Sequence, residues 1–318
     1  MGKVHSLIEE HGKRQAMDLV TGRRADRMVE AASATMLDVS VGEVSNFIYS
    51  GWSHAGLPHR RIPDDAAHEV QTEHLTMLVE PGKALNPENR SYQQIGVPYG
   101  SLARCILIYL QTRALETGDR NVEVGKNLNE FLKRLGLSQG GKTNKTIRDQ
   151  IERISSCKIT FYLHKNNLRG IHNTSIVDTA MFFGEHVSDD ERQTSLFREV
   201  ITLGEGFYQQ LQKHAVPLDE AAVRRLYRSS RALDVYCFLA FRLHHIKEPT
   251  RISWAALKPQ FGADIKGHRH FKNLFKADLE LALAVYPEAK VDVIPDEGIV
   301  LHNSPPPVNN RKPRLSIV

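Results

Sequence analysis

Two stretches of this chain place side chains where they could do chemistry. The first, Gly136-Leu-Ser-Gln-Gly-Gly141-Lys142-Thr143, satisfies GxxxxGK[ST], the pattern of a loop that cradles phosphate with backbone amides. That chemistry needs a buried strand running into the loop and a helix leaving it. Here Leu128, Phe131, Leu132 and Leu135 recur at i, i+3, i+4, i+7 just upstream, which predicts an amphipathic helix instead. Ser175-Ile-Val-Asp178 is too short to supply the apolar strand that should end in a magnesium-binding Asp. Nucleotide binding is therefore the weaker reading. The stronger one takes Lys142, Thr143, Asn144, Lys145 and Arg148 as the start of a helix whose Ile147, Ile151 and Ile154 face a core. Thr143 or Asn144 is suited to cap that helix. The second stretch repeats the arrangement with His268, Arg269, Lys272, Asn273 and Lys276 on a helix that turns Phe271, Leu274 and Phe275 inward. Cations and amides on one helix face suit phosphates and base edges: Arg148, Arg269 and Lys272 for guanine, Asn144 or Asn273 for adenine.

The elements that must position these side chains come in the same order twice. In the first copy, Ser101 to Thr117 reads as a helix, Asn121 to Val124 as a short strand, and Lys126 to Leu135 and Asn144 to Ser155 as two helices. Lys158 to Leu163 then switches to β-branched and aromatic residues. A polar tip with Lys165 and Arg169 follows, and then an apolar run from Ser175 to Phe183. In the second copy, Ser230 to His245, Thr250 to Ser253, Ser253 to Phe261 and Gly267 to Tyr286 read as helix, strand, helix, helix. A hairpin through Pro295-Asp-Glu-Gly298 closes it. Helix, strand, helix, helix, hairpin is a winged helix, in which the third helix can enter a major groove and the wing tip can touch the backbone. Lys165 and Arg169 are thus read as backbone contacts. The expected fold class is α+β with two tandem winged-helix domains. Residues 1–25 are expected as a flexible basic tail or a frayed helix, and 26–213 as an extension plus the first domain (core 98–203). Residues 214–303 are expected as the second domain and 304–318 as an extended Pro-rich basic tail.

Charge distribution supports a polyanionic partner more than the total does. The net charge is only +5, yet Gly140 to Gly170 holds seven Lys/Arg against two acids and Arg224 to Lys276 twelve against three. The remainder is net acidic, so the chain carries two basic blocks. Hydrophobic residues at 41% and charged residues at 25% are ordinary for a globular protein. Apolar runs are short and the first residues lack a signal-type apolar core, so a cytoplasmic protein is expected. Cys105, Cys157 and Cys237 are far apart and read as buried thiols. His54, His59, His68 and His74 lack a repeated ligand spacing, and His244, His245, His268 and His270 do not converge on one point. No metal, cofactor or catalytic arrangement is expected. A Tyr227 or Tyr236 nucleophile for strand nicking would need a histidine metal cluster, and none is evident.

Several short stretches together resemble the plasmid-encoded RepA-type replication initiators. They are LPHRRIPDD (57–65), MLVEPG (77–82), PYGSLAR (98–104), LNEFLKRLGL (128–137), the GG…RDQIERI segment (140–154) and SPPPV (304–308). The resemblance implies two winged-helix domains gripping successive major grooves of one origin repeat, or iteron, and no nucleotide hydrolysis. It implies a monomer that initiates, and a dimer joined through the first domain that represses its own gene or pairs origins. It also implies opening of an AT-rich segment and recruitment of the host initiator and replicative helicase. A transcriptional repressor without an initiation role has the same DNA-binding parts.

Overall fold

The computed structural model describes residues 3–22, 24–37, 45–72, 75–85, 90–137, 140–165, 168–181 and 200–308. The first elements are helices α1 (Lys3–Leu19), kinked at Gly12, and α2 (Ala25–Leu37). Residues 3–19 are therefore helical rather than a loose tail. Their polar composition hides a covered face on which Ala16 is fully buried, as are Val29 and Ala32 of α2. The pair packs on the second half of the chain: His5 is bonded through Nε2 to the Ala284 carbonyl at 3.1 Å.

Strands β1 (Ser45–Tyr49), β2 (His68–Gln71) and β3 (Leu75–Glu80) follow, then a ribbon of β4 (Gly82–Leu85) and β5 (Tyr92–Ile95). The first winged unit opens with α3 (Gly100–Thr117), almost wholly buried and stopped at left-handed Gly118. It continues through β6 (Asn121–Glu123), α4 (Gly125–Arg134) and α5 (Gly141–Ser156). Next come β7 (Lys158–Lys165), β8 (Leu168–Ser175), β9 (Val177–Met181) and β10 (Val200–Leu203). Helix α6 (Glu205–Lys213), strand β11 (Ala215–Asp219) and helix α7 (Glu220–Leu226) lead out of it. β11 pairs with β1, and the Asp219 side chain caps α7 by accepting from the Ala222 amide.

The second unit consists of α8 (Ser230–Arg242), β12 (Thr250–Ser253), α9 (Trp254–Gly262), α10 (His268–Ala284), β13 (Val291–Ile294) and β14 (Gly298–Leu301). Its sheet order is β12-β14-β13. The first unit matches this with β6-β10-β9, so its wing strands are β9 and β10. This corrects the sequence reading, which took the hairpin at 158–183 as the wing. The β7–β8 hairpin is an insertion that joins β3 and β2 in a separate four-stranded sheet. The reason lies in its apolar face. Ile159 and Phe161 stand opposite Val79 and Met77, all four buried, and a partner some eighty residues away cannot be read from local alternation.

The two units are bolted together through α3 and α8. Arg104 donates from Nε and Nη2 to both oxygens of Asp234, at 2.5 and 2.6 Å, and also to the carbonyls of Leu57 and Gly100. Burial raises the Asp234 pKa and the Arg104 charge opposes that rise. The start of the expected C-terminal tail is not free. Ser304 and Val308 are buried, and the Tyr286 hydroxyl donates to the Pro305 carbonyl at 2.5 Å.

Candidate nucleic-acid interface

Helix α5 begins at Gly141, earlier than the sequence reading placed it. Its N-cap is Gly140, which has no side chain to cap with, and Thr143 and Asn144 lie inside the first turn. The expected cap is thus absent, and helix geometry leaves the amides of Gly141, Lys142 and Thr143 without an intrahelical acceptor. Such an end attracts anions. Gly136, the first glycine of the phosphate-loop pattern, has φ 88 and ends α4; Gly140 starts α5. The pattern therefore spells a helix–turn–helix corner entered from a helix, not a strand-to-helix phosphate loop.

Ile147, Ile151 and Ile154 are buried, while Lys142, Asn144, Lys145 and Arg148 are exposed and Thr143 half-exposed. Among the described residues none of these cations has a carboxylate partner. Arg153, part of the same basic block, is buried instead. It is bonded to Asp149 at 2.9 Å and Asp64 at 3.0 Å, and it stacks 5.4 Å over the Tyr99 ring.

Helix α10 has the same kind of start. Gly267 is its N-cap, with φ 82 and no side-chain cap, and no acid lies in the first turn. His268, Arg269 and Asn273 are exposed. Lys272 and Lys276 are half-buried, with their ammonium groups 5.8 and 5.7 Å over the buried Trp254 ring. Cation–π attraction holds both against the first residue of α9. Sequence reasoning missed Trp254 in this role, because eighteen residues and a turn separate it from Lys272. The α9 start is capped by Ser253, which accepts from the Ala256 amide at 3.2 Å.

The expected wing contacts fare differently. Lys165 is the last residue of β7 and Arg169 the second of β8, in the inserted hairpin, and their side chains lie outside the described residues. The β9–β10 connection, 182–199, also lies outside them. The second wing is acidic, with Asp292, Asp296 and Glu297; Glu297 pairs with Arg251 at 2.9 Å. It is unsuited to phosphate.

The other reactive types are scattered and buried or half-buried. His59 and His68 have lowered pKa values, His59 to about 2, first through burial and then through Arg104. All three cysteines are buried, which pushes the Cys105 and Cys157 thiols up to about 12. Tyr236 is fully buried and accepts the Asp219 amide at 3.0 Å, so it is a core residue with no access to a DNA strand. Among the described residues no group of three His, Cys, Asp or Glu is placed to hold a metal ion, and no helix is long and apolar enough to cross a membrane.

The family model described as plasmid encoded RepA protein matches residues 97–256, half of the chain. This chain belongs to that RepA family. The match begins just before α3 and ends in α9, so it takes in all of the first winged unit and the start of the second. Membership supports a role in replication initiation on a plasmid. The RepA-family chain is also similar to two crystal structures of domains 2 and 3 of RctB. One, of selenomethionine derivatives, has TM-score 0.49 and 14% identity, covering 80% of this chain and 98% of that one. The other, RctB 155–483, has TM-score 0.44 and 14% identity, covering 78% and 93%. At these scores neither likeness carries an argument, and the winged-helix assignment stands on the strand orders above. Comparison with curated proteins gives no match.

Proposed function

We propose that this chain is a plasmid replication initiator that binds iteron duplex DNA through α5 and α10 and represses its own gene. One observation carries the reading. The third helix of each winged unit starts at an uncapped glycine and presents cations with no acidic partner among the described residues, and family membership links the chain to plasmids. Phosphate contacts by Lys142, Lys145 and Lys276 supply affinity, and Arg148, Arg269 and Asn273 supply base discrimination. The mechanism has no covalent step, and so calls for no cofactor or catalytic residue. A monomer–dimer equilibrium and contacts with a host initiator and helicase belong to the same proposal. The test is fluorescence anisotropy on duplexes from the DNA flanking the gene, against scrambled duplexes, over a salt series. Tight binding to one repeated segment, surviving salt that strips scrambled DNA, is the expected outcome. Equal, weak and salt-labile binding to every duplex would overturn sequence-specific initiation.

A further inference from the structure

Four arginines meet where the N-terminal helix pair touches the α7–α8 corner: Arg24, Arg27, Arg228 and Arg231. Two share one fully buried carboxylate, Asp278 on the inner side of α10. Arg24 pairs with its Oδ1 and Arg231 with its Oδ2 at 3.2 Å, while Ser229 donates to it at 3.0 Å. Arg231 also donates to the Phe261 carbonyl at 2.6 Å and lies 3.8 Å from Asp264.

The other two are left over. Neither Arg27 nor Arg228 has a carboxylate partner among the described residues, and Glu30, one turn along α2 from Arg27, is with Lys13 at 3.9 Å. Arg228 is exposed; it donates to the Tyr227 hydroxyl at 2.7 Å and sits 5.3 Å over that ring. The same hydroxyl donates to the Gly136 carbonyl at 2.9 Å, which ties the cluster to the corner from which α5 emerges. Arg27 is half-buried, and its pKa is lowered first by that burial and then by Arg24 and Arg228, with Asp278 and Tyr227 opposing the fall. Unpaired guanidinium groups crowded in this way repel one another, and their rigid donor forks match the oxygens of a phosphate.

We propose that Arg27 and Arg228 form a phosphate-binding site, filled by a backbone phosphate of the duplex that α5 and α10 grip. The source of the phosphate rests on the DNA-binding reading above; the site itself does not. It makes the N-terminal helix pair part of the DNA-contacting surface, at a position with no counterpart in a lone winged helix.

The test compares full-length wild type with the double variant Arg27→Gln/Arg228→Gln, on the duplex and in thermal melts with added inorganic phosphate. The salt slope of log K should fall by about 0.9 in the variant, for the one phosphate charge that it no longer neutralises. Inorganic phosphate should raise the melting midpoint of wild type more than that of the variant, each measured against its own value in phosphate-free buffer. A changed slope or a changed phosphate response supports the site. An unchanged slope with an abolished phosphate response assigns the site to free phosphate and rejects the duplex as its source. If neither differs while Arg148→Ala still weakens binding, the site is refuted and the DNA reading stands. If wild type binds no duplex, the DNA reading fails and the phosphate melts alone decide the site.

Discussion

At the scale of single residues, the two reading helices offer two kinds of cation. Lys272 and Lys276 lie over Trp254 and have little freedom, which suits a fixed phosphate. Arg148 and Arg269 are exposed and have no carboxylate partner among the described residues, so their forks are free to meet a base edge. Arg148→Ala and Arg269→Ala should each cost about 1–3 kcal/mol of specific binding and relax preference at one base pair. Lys145→Ala should weaken all duplexes alike. Affinities on a panel of single-base-pair variants separate the two classes, and a uniform loss for both arginine variants would move them to the phosphate class. The wet face of α5 was legible because Ile147, Ile151 and Ile154 define its opposite. The burial of Arg153 was not, since Asp64, its partner, is eighty-nine residues away.

At the scale of elements, the α9–α10 corner depends on a close approach. A Cβ built on Gly262 would lie 2.3 Å from a ring carbon of Phe271, a fully buried residue in the first turn of α10. Gly262→Ala should therefore overpack the corner and cost about 1–3 kcal/mol. A lowered melting midpoint and weaker DNA binding are expected together, because the start of α10 must shift. A variant that melts like wild type would mean the corner has slack. Helix boundaries on the apolar stripes were legible to within about two residues for α9 and α10. The wing of the first unit was misread because β7 and β8 have the alternation of wing strands. What separates them from β9 and β10 is the partner each finds: β3 for β7, β6 and β9 for β10.

At the scale of the molecule, the junction of the two units holds an acid-sensitive group. His59 is bonded to Ser230 at 3.0 Å and faces Arg104 and Arg231; its pKa falls from 6.5 to about 2, through burial first. A histidine with a depressed folded pKa is protonated more readily in the unfolded chain. Stability is therefore intact above pH 6.5 and lost as pH falls below it. The loss from this residue should reach about 2 kcal/mol at pH 5. His59→Gln should flatten the fall in melting midpoint between pH 7 and 5; an unchanged slope would place the sensitivity elsewhere. The sequence by itself determined the duplicated order of helices and strands, the two basic faces and the failure of the phosphate-loop motif, because each rests on neighbours within a few turns of chain. Only the tertiary structure decided which hairpin is the wing, that α1 and α2 pack beside α10, and that Arg104 and Asp234 join the units. Those outcomes turn on burial shared between segments far apart in the chain, where apolar area and paired charge settle the partner and local spacing carries no record of it.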